Sequence, residues 1–130
     1  MRFILILLFC ISCSSTPEKK SIHQCELTPS KTEQRHLSIS ARLHAGQFAK
    51  CFKNYLKFEE NKNQSFNVCH KINTDKNGKV IYSKAYGIGA QIPKDFEMCL
   101  EQQLRMLDFK NLYLSEPEEV NFSLKYQTKS

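Results

Sequence analysis

Tryptophan is absent from this chain, and no block of lysine and arginine is interleaved with aromatic rings. The 19 basic residues are spread among 13 acidic ones, so the net charge of +6 describes a solvated, lysine-rich surface. Specific nucleic-acid binding is not expected from it, although attraction to anionic lipid headgroups or acidic polymers is. Long apolar segments are lacking too. The run Phe3 to Ile11 would make about 14 Å of helix, roughly half the hydrocarbon thickness of a bilayer, so it is too short to span. Signatures of catalysis are equally scarce. The one Cys-x-x-Cys spacing, Cys10 to Cys13, lies in that apolar N-terminal segment rather than at a helix start in a domain. Gly87-Ile88-Gly89-Ala90 lacks both GxGxxG and a following Lys-Ser/Thr, so it is not a phosphate loop. Cys69-His70 is no haem attachment, because position 66 is Phe. No Ser, His and Asp set is recognisable from spacing, and His44 and His70 read as packing residues. His23, Cys25, Cys69 and His70 together could suggest zinc, but they lack the paired loop spacing of zinc sites. We therefore expect no enzyme, no cofactor and no metal.

What the chain does have begins at its N-terminus. Arg2 and the apolar run form the n- and h-regions of an export signal. Leu7-Leu8-Phe9-Cys10-Ile11-Ser12-Cys13 resembles the lipobox of bacterial lipoproteins, with Ser12 as the small residue before the acceptor. Cys10, where Leu is usual, departs from that pattern. The resemblance implies acylation of Cys13, and multiple acyl chains anchor stably where one binds marginally. Ser14, rather than Asp, after the cysteine implies the outer membrane, with the protein facing the periplasm. Residues 1–12 are thus expected to be a signal peptide. Residues 13–35, polar with two prolines and three lysines, read as a flexible tether, and residues 36–130 as one small domain.

Within that domain, Ser65 to Tyr86 reads as a hairpin. Phe66, Val68, His70 and Ile72 alternate with Asn67, Cys69, Lys71 and Asn73, and the polar turn Thr74 to Gly78 precedes the β-branched and aromatic residues Val80, Ile81, Tyr82 and Tyr86. Asn77-Gly78 supplies the positive φ of a tight reversal. His36 to Leu43 is ambiguous, because Leu37, Ile39, Ala41 and Leu43 alternate as in a strand. From Leu43 to Leu56 the spacing is helical, which predicts a helix over about residues 40–57. Pro93, Asp95 and Glu97 suit the start of a second helix, whose apolar stripe is Phe96, Leu100, Leu104 and Leu107. Val120, Phe122, Leu124 and Tyr126 alternate with polar residues in a last strand. The order α-β-β-α-β predicts an α+β two-layer sandwich, a three-stranded antiparallel sheet with two helices on one face.

Four cysteines lie beyond the lipobox: Cys25, Cys51, Cys69 and Cys99. In a small exported domain they favour disulfides, and three connectivities are open.

The element order, Cys51-Phe52-Lys53 at the first helix, the turn Asp75 to Val80, and Cys99-Leu100 in the second helix together resemble the C-terminal domains of TonB energy-transducing proteins. The nearer likeness is to the related C-terminal domains of myxobacterial gliding-motility proteins. It spans about residues 37–127. The departures are the missing N-terminal transmembrane helix, the missing Pro-rich rod, and Phe109-Lys110 where the family has an aromatic-Pro element. They argue against force transduction. The resemblance implies a Cys51–Cys99 disulfide, which leaves Cys25 for Cys69. Parity agrees with the second pair, since Cys69 lies opposite Phe66, Val68 and Ile72 and would hold the tether across the bare side of the sheet. A membrane-anchored module binding another envelope protein is the function expected, by strand addition along Lys79–Tyr86 or Glu118–Gln127. A cell-wall or anionic-polymer binder, resting on the charge and the tyrosines, is the alternative.

Overall fold

The structure is a computed structural model and describes Cys25 and residues 32–128. Its elements are α1 (Thr32–Arg42), α2 (Ala45–Lys57), β1 (Ser65–Thr74), β2 (Val80–Gly87), α3 (Lys94–Arg105), a short 3-10 turn (Lys110–Leu112) and β3 (Glu118–Gln127). The fold is α+β, with one antiparallel sheet in the order β2-β1-β3. The expected lipidation at Cys13 and the signal peptide lie outside the described residues.

The helical layer differs from expectation in having three helices. Its first helix starts at Thr32, inside the stretch read as tether. The alternation at residues 37–43 misled because only one pair in it carries the packing. Leu37 and Ala41, four apart on one helical face, are fully buried, whereas Ile39 and Leu43 are 54% and 80% exposed. The break between α1 and α2 has local causes. The Leu43 N–H is shared between the Ile39 and Ser40 carbonyls, and the His44 N–H goes to Ala41, which tightens the last turn. The His44 ring donates from Nδ1 to the Ser40 carbonyl at 3.1 Å, satisfying an end group of α1. The Gln47 and Phe48 N–H groups then turn to the His44 carbonyl and α2 begins.

The hairpin turn is held by Asp75, whose Oδ1 accepts the N–H groups of Asn77 and Lys79, both at 2.9 Å. Gly78 sits at φ 84°, and a Cβ there would lie 2.5 Å from the Phe109 carbonyl group. Its own carbonyl accepts the Phe109 N–H at 2.9 Å. Only glycine meets both demands. Beyond the turn the pairing steps from Thr74↔Val80 to Asn73↔Tyr82, leaving Ile81 as a bulge on the edge strand.

Side-chain parity then sorts the sheet. Phe66, Val68, His70 and Ile72 of β1 and Val120, Phe122 and Tyr126 of β3 face the helices. There Phe48, Phe52, Phe96, Leu100 and Leu104 close the core. Phe52 contacts Phe66, Phe96 and Tyr126 at centroid distances of 6.0, 5.6 and 5.9 Å, with Phe96 edge-on to Tyr126 at 5.0 Å. Two disulfides staple the fold. Cys51–Cys99 joins α2 to α3, and Cys25–Cys69 fastens residue 25 to the back of β1.

Candidate functional site

His70 is the most secluded titratable side chain described, and its surroundings mark it as structural. Its ring stacks on Phe122 at 4.8 Å and on Phe48 at 5.5 Å. Nδ1 lies 3.2 Å from the Phe122 carbonyl oxygen, which can only accept, so Nδ1 carries the proton. Nε2, 2.7 Å from the Tyr126 hydroxyl, therefore accepts from it. Burial pushes His70 down to about 4, against the opposing pull of the Phe122 carbonyl and with help from Arg42. Burial also raises Tyr126. Both groups are held neutral inside the core.

The residues weighed as a zinc set are not brought together. Cys25 and Cys69 are bonded to each other on the back of the sheet, while His70 points into the core on the front. Among the described residues no group of three His, Cys, Asp or Glu side chains is placed to hold a metal. Among those residues, too, no helix is long and apolar enough to cross a membrane.

The sheet edges are candidate places for recognition. Because β1 is central, both candidate strands are edges. They are not equally open. The first half of β3 lies under α1, where Gln34 Nε2 donates to the Glu119 carbonyl at 3.5 Å, and Lys125 stands exposed further along. Such a lysine discourages edge-to-edge pairing.

Along β2, Ile88 N–H donates to Asn67 on β1, so alternation turns the backbone groups of Ser83 and Ala85 outward. A side chain meets them. Glu101 of α3 accepts the Ala85 N–H on Oε2 at 3.0 Å, and the Glu101 carbonyl accepts from Ser83 Oγ at 2.9 Å. A carboxylate thus occupies the position where the carbonyl of an added strand would bond. Beside it runs a groove of about 780 Å³ lined by Ser83, Asp95, Met98, Cys99, Glu101, Gln102, Arg105 and Met106. Met98 and Met106 are 56% and 70% exposed, and the bulged Ile81 is exposed as well. A separate hollow of about 650 Å³ lies between Tyr86, the loop Gly87–Ile92, and Lys94 and Glu97 at the start of α3. Flexible, polarizable methionines suit a surface that adapts to an apolar partner.

Glu101, Met98 and Met106 were not picked out from sequence. Met98 falls off the Phe96, Leu100, Leu104 stripe, so helical periodicity alone marks it as outward. Nothing local announces that Glu101 reaches the Ala85 N–H. No family model matches this chain, and neither a curated protein nor a solved structure does.

Proposed function

We propose that this is a non-catalytic envelope lipoprotein, anchored through acylated Cys13, whose disulfide-stapled domain binds another envelope protein by strand addition at β2. The reading places it at the bacterial outer membrane, facing the periplasm, and keeps the likeness to TonB C-terminal domains as part of the proposal. The observation that carries it is the edge of β2, with an outward Ala85 N–H held by the Glu101 carboxylate beside an apolar groove. An incoming strand would replace that carboxylate with a backbone carbonyl, and alternate side chains would drop toward Met98 and Met106. The exchange is nearly neutral in hydrogen bonds, so the apolar contacts supply the affinity.

A photo-crosslinker at Met98 in native membranes tests this reading. Capture of one envelope protein, lost in an Ile81→Lys variant, is the expected result. A second reading, binding of cell-wall or other anionic polymer, draws on Tyr82, Lys84 and Tyr86, exposed in one row on the back face. Salt-sensitive cosedimentation with purified cell wall, without protein capture at Met98, would favour it.

A further inference from the structure

The groove beside β2 differs in charge from the rest of the molecule. Over the whole chain basic residues outnumber acidic ones, for a net charge of +6. The groove reverses that sign, because two acids, Asp95 and Glu101, line it against one base, Arg105. Lys94, at the start of α3, is held by Glu97 at 3.1 Å.

Glu101 is the acid at the centre. Its carboxylate accepts the Ala85 N–H at 3.0 Å, and its carbonyl accepts from Ser83 Oγ at 2.9 Å. A strand added to β2 would put a backbone carbonyl on the Ala85 N–H and displace the carboxylate. With its backbone still held at Ser83, the half-buried Glu101 side chain would remain beside the new strand. A carboxylate covered by an apolar strand loses water without gaining a partner, so a strand that brings a cation is favoured.

The spacing of the groove agrees. α3 runs back along β2, with Lys94 and Glu97 by Tyr86 and Gly87, Glu101 by Ala85 and Ser83, and Asp108 bridged to Lys79 beyond the helix. Met98 and Met106, which flank Glu101 in the groove, are 106 − 98 = 8 residues apart. That is about 12 Å along a helix axis, with Glu101 between them. Side chains on one face of an extended strand recur every two residues, so positions i and i+4 are about 13.6 Å apart. A strand laid along β2 can therefore set positions i and i+4 over the two methionines and position i+2 over Glu101.

We infer that the β2 edge takes an extended segment of the pattern apolar-x-basic-x-apolar, its lysine or arginine meeting Glu101 and its apolar side chains meeting Met98 and Met106. The inference rests on strand addition at β2 and names the chemistry of the partner. A second copy of this chain fits poorly. Antiparallel pairing of β2 with β2 would keep both α3 helices on one face and turn Glu101 toward Glu101.

Three peptides, Ser-Ser-Leu-Thr-Xaa-Thr-Leu-Ser-Ser with arginine, glutamine or glutamate at the centre, test the inference. Each is titrated at low ionic strength into the isotope-labelled full-length chain in detergent micelles, and NMR follows the Ala85 amide. The arginine peptide should bind about fivefold tighter than the glutamine one, and the glutamate peptide about fivefold weaker. In Glu101→Gln the amide oxygen can still accept from Ala85, but the preference should vanish, since Asp95 and Arg105 then cancel. Arg105→Gln should widen it. Equal binding of the three peptides, or a preference that survives Glu101→Gln, overturns the inference and leaves strand addition standing. No shift at Ala85 with any peptide overturns strand addition, and the inference with it. The segment captured by a photo-crosslinker at Met98, sequenced by mass spectrometry, should carry a basic residue with apolar residues two places to either side. An acidic residue at that centre, or capture of a second copy of this chain, overturns the inference.

Discussion

Lowering the pH from 7 to 5 should cost this fold about 2 kcal/mol through His70 alone. The unfolded chain protonates this imidazole near its ordinary value of 6.5, whereas burial holds it down to about 4 in the fold. As pH falls through this window the unfolded state takes up a proton that the native state refuses, so stability declines. The total over the window is 2.5 pKa units, about 3 kcal/mol, of which about 2 kcal/mol is lost between pH 7 and pH 5. The Phe122 carbonyl, 3.2 Å from Nδ1, offsets only part of the cost. The ring Nε2 already accepts from Tyr126, and the charged group acting on it is Arg42 of α1, whose guanidinium lies 5.8 Å from the Phe122 ring on which His70 stacks. Urea unfolding followed by circular dichroism at pH 7, 6 and 5 measures the loss. His70→Gln supplies the reference, since it starts less stable but cannot titrate. The difference in unfolding free energy between the two proteins should shrink by about 2 kcal/mol on acidification. Parallel declines, or a His70 imidazole that titrates by NMR near 6.5 in the folded protein, would refute the reasoning.

Gly78→Ala should destabilise by about 3 kcal/mol, combining a positive φ with a Cβ driven into the Phe109 backbone, and thermal unfolding should report it. Replacing Cys51 and Cys99 together by Ala should cost about 4 kcal/mol in the chain-entropy model, because the bond closes a separation of 48 residues, and denaturant titration of the folded variant checks it. Glu101→Ala should speed hydrogen exchange at the Ala85 amide relative to Lys84 while leaving the core unaltered. Unchanged exchange at Ala85 would mean that the carboxylate does not hold that edge.

The sheet was legible because alternation is a strong signal over eight to ten residues, and both long strands carry it, broken in β1 where Cys69 on the back face is buried as well. The Phe96, Leu100, Leu104 stripe was legible for the same reason at helical period. Residues 36–43 were not, because Ile39 and Leu43 are apolar yet exposed and so imitate a strand. Only the partner surfaces for Leu37 and Ala41 break the tie. Strand order could not be read at all. The hairpin fixes β2 beside β1, but whether β3 adds to β1 or to β2 depends on pairing at long range, and its answer, β1 in the centre, leaves both β2 and β3 as edges. The contact of Glu101 with β2 depends likewise on how α3 lies across the sheet, which no local pattern encodes. His70 was read correctly as packing, but its bond to Tyr126 required β3 to lie at its observed register.

The central claim, that β2 and the α3 groove receive a strand of another envelope protein, is met most directly by photo-crosslinkers placed singly at Ile81, Met98 and Met106, with Leu43 and Phe58 as exposed controls, in cells carrying the full-length chain. The account predicts one and the same protein captured from the three groove positions, absent from both controls and, at Ile81 and Met106, lost in a Met98→Lys background. Equal capture from the controls, or none from the groove while the protein is present in the membrane, would contradict it.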